Sequence, residues 1–138
     1  MTKQYKPSSY PDLIPCLTVK DMQKSLDFYK KAFEFEVSGE VSKDESNNLI
    51  HIEMKKGEAY IMFSPEGAYG SNSKAPITSG VESGISLYVY CEDVDSLYKQ
   101  AIEHGANSLS KPEDMFWGDR VCRLIDINNY CWAFGKKL

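Results

Sequence analysis

One short stretch of this chain alternates chemistry with hydrocarbon: His51 and Glu53 are interleaved with Ile50, Ile52 and Met54. A strand turns successive side chains to opposite faces, so this spacing puts an imidazole and a carboxylate on one face. The pair can orient a polar ligand, supply two donors to zinc or iron, or move a proton near neutral pH. A plain solvated strand face has the same pattern. Rings form the second candidate group. Tyr88 and Tyr90 alternate in Ser-Leu-Tyr-Val-Tyr, Phe63 ends Ala-Tyr-Ile-Met-Phe, and Trp117 sits in the loop-like Phe-Trp-Gly-Asp-Arg. Rings set among small residues describe an apolar cavity for a flat molecule, or simply a filled core. Trp117 either staples its loop or offers a ring to a ligand, and Asp119-Arg120 reads as a local ion pair. No Ser/His/Asp arrangement, glycine-rich phosphate loop or closely spaced Cys/His pair is present.

Bulk properties exclude several classes. The 138 residues fit one domain, spanning 1–138, and the net charge of −4 with scattered lysines argues against a nucleic-acid partner. No apolar run approaches a membrane span, and the polar start, Met1 to Asp12, has no signal-like core. Cys16, Cys91, Cys122 and Cys131 show no CxxC or zinc-type spacing and fall in apolar stretches. They are expected to be buried free thiols in a cytoplasmic protein.

The elements that position these residues repeat. Apolar spacing predicts helices over 21–33 and 93–104, capped by Asp21 and Asp93, with Gly105 ending the second. Strands are expected at 13–19, 35–41, 49–54 and 59–64, then at 85–91, 106–109, 121–126 and 130–134. Asp21 and Asp93 lie 72 positions apart, and the same offset carries Lys56-Gly57 onto Asn128-Asn129 and Ala59–Met62 onto Cys131–Phe134. A duplicated βαβββ unit explains this order: module one over about 12–65, a Gly/Ser/Pro-rich linker at 66–83, and module two over about 84–138. The expected fold is α+β, a curved, mostly antiparallel sheet around a concave pocket. In it His51 is matched by Arg123, so His51, Glu53 and Arg123 are expected to converge. Phe63, Tyr88 and Tyr90 are expected to line the concave face, and Trp132 to face away from it.

Three segments carry a family resemblance: IPCLTVKDMQKSLDFYKKAF, its counterpart LYVYCEDVDSLYKQAIEHGA, and the ending FWGDRVCRLIDINNYCWAF. Together they resemble the glyoxalase/bleomycin-resistance/dioxygenase (vicinal oxygen chelate) superfamily over nearly the whole chain. The resemblance implies two modules cupped around a site, often with one divalent metal held by His or Glu, and a homodimer. The implied ligand positions hold Ile14, Ile61, Ser86 and Ala133. Isoleucine and alanine have no donor atom, and a serine hydroxyl is a poor ligand. A small-molecule-binding protein of bleomycin-resistance type, with no metal and no other cofactor, is therefore expected. The alternative is a metal-dependent lyase or dioxygenase-like enzyme built around His51 and Glu53.

Overall fold

The computed structural model describes residues 4–138. Module one runs β1 (Cys16–Val19), α1 (Met22–Lys31), β2 (Glu36–Val37), β3 (Ser42–Lys43), β4 (Leu49–Lys56) and β5 (Ala59–Pro65). A linker with one short helix, α2 (Pro76–Ser79), leads to β6 (Ser86–Tyr90), α3 (Val94–Glu103), β7 (Asn107–Asp114), β8 (Asp119–Ile125) and β9 (Cys131–Lys137). Both long helices start where expected: the Asp21 carboxylate accepts from Lys24 N–H at 2.9 Å and Asp93 from Ser96 N–H at 3.0 Å.

Each module forms its own mixed sheet, in the order β1-β5-β4-β2 with β3 also on β4, and β6-β9-β8-β7. The first strand of each module runs parallel to its last, β1 on β5 and β6 on β9, and the other pairs are antiparallel. Two sheets thus replace the single shared sheet expected from the sequence. They share one core all the same. Tyr29 of α1 lies 5.5 Å from the Phe63 ring in the first sheet and 5.7 Å from Trp132 in the second. Phe33 packs on Trp132 at 5.0 Å and Phe134 at 4.8 Å, so Trp132 faces the helices as expected. Each such ring withdrawn from water contributes about 2 to 3 kcal/mol.

A polar knot crosses this core. The Asp126 carboxylate accepts from Tyr29 Oη (2.7 Å), Trp132 Nε1 (2.8 Å), and the backbone N–H groups of Asn128 (2.8 Å) and Tyr130 (2.9 Å). Asn128 Nδ2 donates onward to Ser25 Oγ at 3.1 Å. Burial lifts the Asp126 carboxyl above its ordinary range, while the donors pull it down.

Several boundaries differ from expectation. The strand expected over 35–41 shrinks to Glu36–Val37, because Phe35 turns into the core and is 1% exposed. The segment around Trp117, read as loop-like, is short: β7 runs to Asp114 and β8 starts at Asp119, and Pro112 is tolerated because β7 is an edge strand with register shifts. Tyr69 in the linker is exposed. Only Cys122 is a buried thiol; Cys91 and Cys131 are half-buried and Cys16 is exposed. The apolar neighbours of Cys16 face the core while Cys16 itself, by strand alternation, does not.

Candidate functional site

The internal offset of 72 holds for first strands and helices but slips to 71 in the last strands. Cys16 pairs with Met62, and Tyr88, 72 residues on, pairs with Ala133, which lies 71 beyond Met62. A one-residue slip reverses every side chain. Phe63, expected in the concave face, is therefore a core residue, 1% exposed against Tyr29. Ile61 faces the core with Met54, its cross-strand partner, and Met62 takes the concave position. The four positions matching the implied metal site are accordingly Ile14, Met62, Ser86 and Ala133. One thioether and one hydroxyl do not make a divalent-metal donor set. Among the described residues, no three His, Cys, Asp or Glu side chains form a metal cluster.

On the first sheet, His51 and Glu53 share the concave side as the alternation predicts. His51 Nε2 lies 3.3 Å from Glu53 Oε2. Sequence reasoning missed their third partner. Tyr10, in the polar N-terminal segment, donates its hydroxyl to Glu53 Oε1 and lays its ring 5.0 Å from that of Tyr60. That hydrogen bond raises the Tyr10 phenol above its ordinary range. Arg123 does not join them. It is exposed on the second sheet, with its guanidinium 3.6 Å from Cys131 Sγ. Arg123 pairs with Ala133 as Glu53 pairs with Met62, so it matches Glu53 and not His51, and in two separate sheets equivalence is not proximity.

The second sheet carries the aromatic group. Tyr88 and Tyr90 both donate to Asp119 Oδ2, at 2.7 and 2.8 Å, and Trp117 Nε1 donates to the Tyr88 hydroxyl at 3.3 Å. Asp119 is buried, and the tyrosine hydroxyls hold its carboxyl below the ordinary range. Tyr88 lies flat across β9, over Gly135, where an added Cβ would come within 2.8 Å of its hydroxyl. Asp119 is thus an anchor for rings and not the partner of Arg120. Arg120 pairs with Asp95 (2.8 Å) and Asp114 (3.0 Å) instead. The sequence signal for Asp119 was its position two strands across from a Tyr-Val-Tyr repeat, which needs the pairing register to be read.

The structure therefore brings together Tyr88, Tyr90 and Trp117 around Asp119, and separately His51 and Glu53 under Tyr10. Among the described residues no hydrogen bond or ion pair links the two groups.

Comparison with known proteins places this arrangement. The sequence model of the family described as Glyoxalase/Bleomycin resistance protein/Dioxygenase superfamily matches residues 13–134. An uncharacterized protein of Mycobacterium bovis is 29% identical over 128 residues, covering 91% of this chain and 83% of that protein. Among solved structures, TioX from Micromonospora sp. ML1 superposes with a TM-score of 0.73 at 20% identity, over 93% of this chain and 99% of its own. A glyoxalase/bleomycin resistance protein/dioxygenase family enzyme from Burkholderia phytofirmans gives 0.70 at 19% identity, over 91% of this chain and 97% of its own. At these identities the structural likeness speaks for the fold.

Proposed function

We propose, for a chain that belongs to the glyoxalase/bleomycin resistance protein/dioxygenase superfamily, that it binds a small organic molecule without a catalytic metal. One observation carries the reading: Tyr88, Tyr90 and Trp117 are 44%, 63% and 49% exposed, yet are tied by hydrogen bonds to each other or to a buried carboxylate. Rings that only filled a core would be covered, and rings idle on a surface would not be anchored. Pre-fixed aromatic surface loses little freedom when a flat guest stacks on it. Arg123, on the same sheet, supplies a cationic contact, and His51 with Glu53 supplies polar ones once Tyr10 moves aside.

A homodimer belongs to this reading. The polar pair and the rings lie on different sheets of one chain, and a second copy gives each open face something to meet. A cytoplasmic setting agrees with four free cysteines, and no described helix is long and apolar enough to cross a membrane. The competing reading, a metal-dependent lyase or dioxygenase-like enzyme, has only His51 and Glu53 as donors and would have to recruit others.

The test is a thermal-shift screen of metabolites and antibiotics, followed by calorimetry on the hits with wild type and Tyr88→Ala. Truncating a stacking ring should weaken binding by about 1 to 3 kcal/mol. Stability should fall less than for the core variant Leu97→Ala. Equal unfolding of both variants would make Tyr88 a structural residue and remove the site. Light scattering should give twice the 15.7 kDa chain mass.

A further inference from the structure

The two modules finish the outer edges of their first strands differently. In a parallel pair, alternate residues turn N–H and C=O toward the neighbouring strand and the others point away. Met62 donates to Pro15 C=O and Glu66 to Val19 C=O, so Thr18 points off the free edge of β1. The chain closes that edge itself. The Tyr130 phenol oxygen accepts from Thr18 N–H at 3.1 Å and donates to Thr18 C=O at 2.8 Å. Two residues along, Asn128 Oδ1 accepts from Lys20 N–H at 3.0 Å.

At β6 the geometry repeats and the filling does not. Cys91 donates to Gly135 C=O, which makes Tyr90, 72 residues beyond Thr18, the one whose backbone points off the edge. The β4–β5 turn faces β6 as the β8–β9 turn faces β1. Lys56 pairs with Ala59 as Asp126 pairs with Tyr130, so Ala59 stands where the twin edge has Tyr130, and the shorter turn Gly57-Glu58 replaces the one that carries Asn128. Among the described residues no side chain bonds to the backbone of Tyr90 or Glu92. A groove of about 730 Å³ remains between turn and strand. Its floor is apolar, with Ala59, Val89 and Leu97, and its rim sets Glu34, Glu58, Glu92 and Asp93 against the single cation Lys56.

We infer that this groove is a binding site for a small phenol bearing a positive charge, whose ring and hydroxyl take at β6 the place that Tyr130 takes at β1. A hydroxyl both accepts and donates, which matches the paired N–H and C=O of Tyr90 as Tyr130 matches those of Thr18. The ring lies on the apolar floor. The excess of carboxylates at the rim attracts an ammonium tail and repels an anionic one. The groove adjoins the ring cluster on the second sheet, sharing Tyr88 and Tyr90 with it, while Trp117, Asp119 and Arg123 do not line it.

Tyramine is the probe, with phenethylamine (no hydroxyl) and 4-hydroxyphenylacetate (anionic tail) as comparisons, in calorimetry and amide NMR on the full chain. Tyramine should bind roughly tenfold or more tightly than either, since a site built for a hydroxyl rejects the analogue lacking it. The Tyr90 and Glu92 amides should shift most. Ala59→Tyr supplies internally the phenol that closes the twin edge, and should abolish binding while raising thermal stability. Trp117→Ala should leave tyramine binding intact, which separates this site from the cup. Equal affinity for the three probes, shifts centred elsewhere, or binding that survives Ala59→Tyr would overturn the inference. So would no binding at about 10 mM tyramine, where even millimolar affinity registers. If Ala59→Tyr does not fold, the amide map and the probe ranking in wild type still decide.

Discussion

Replacing Asp126 by Asn tests whether the buried knot is the joint between the two modules. The carboxylate is 1% exposed and accepts four hydrogen bonds, two on each oxygen. An Asn can keep its oxygen toward the N–H groups of Asn128 and Tyr130. Its amide then faces Tyr29 Oη, which can turn and accept, and Trp132 Nε1–H, which cannot. One indole donor is left buried and unmet, at a cost of about 1 to 3 kcal/mol, and charge-assisted bonds become neutral ones. The amide also escapes the cost of burying a charge, so the expected loss is about 2 to 4 kcal/mol, or roughly 8 to 16 °C in Tm. Asp126→Ala strips two backbone N–H groups as well and should be worse. The pH dependence has a definite sign. Because burial raises the folded carboxyl above 3.8, the native state takes up its proton first as pH falls. Wild type therefore gains on the Asn variant between the folded value and 3.8, and the deficit widens toward acid. Urea unfolding followed by Trp132 emission measures this. A loss under about 0.5 kcal/mol, the size of an ordinary surface change, or an Ala variant as stable as Asn, would refute it.

Three further outcomes are expected. Gly135→Ala should lift the Tyr88 hydroxyl off Asp119, because the new Cβ occupies its resting place. The lost bond and the better strand propensity nearly cancel, at about 1 kcal/mol each, so near-UV circular dichroism should change while Tm hardly does. Asp119, held below 3.8 by the Tyr88 and Tyr90 hydroxyls, contributes stability above 3.8 that is lost as pH falls through its folded value. Asp119→Asn should therefore flatten that part of the acid-unfolding curve. Tyr10→Phe should free Glu53 Oε1 of its hydrogen bond without unfolding the chain, read as amide shifts confined to the neighbourhood of Glu53; unchanged amides there would mean that the bond does not form in solution.

Much of this fold was legible because local physics fixed it. Asp21 and Asp93 cap helices by their own side chains, and Gly105, at φ 106°, ends the second helix in a conformation that suits glycine. The alternation of His51 and Glu53 correctly named their face, since both belong to a regular eight-residue strand. What failed needed pairing information. Phe63 was misassigned because a 72-residue offset, correct for the helices, was extended across hairpins where the true offset is 71. Arg123 was drawn to His51 by the same offset; the pairing register makes it the counterpart of Glu53, on a separate sheet. Tyr10 and Asp119 were missed for a simpler reason: each acts on residues far away in sequence, 43 positions for Tyr10 and 29 to 31 for Asp119. No periodicity announces such a contact.

The broken symmetry says where function should be sought. A duplicated module that served structure alone would meet the same needs twice, and this chain does not. On the first sheet, the concave side is covered by the Tyr10 segment, and the β1 edge is closed by Tyr130 and Asn128. The second sheet keeps three anchored rings open, and its β6 edge faces an unfilled groove. The polar knot at Asp126 belongs to the closed side, and the helix positions that match its Ser25 and Tyr29, Leu97 and Ala101, are apolar. Module two has therefore spent the polar groups of its last turn on closing module one, and has left its own rings and first-strand edge free. Ligand-dependent shifts should accordingly concentrate in β6, the 116–119 turn and the β4–β5 hairpin, and leave β1 and the 126–130 turn quiet. A guest that perturbed Thr18 and Asn128 as strongly as Tyr88 and Trp117 would contradict that division.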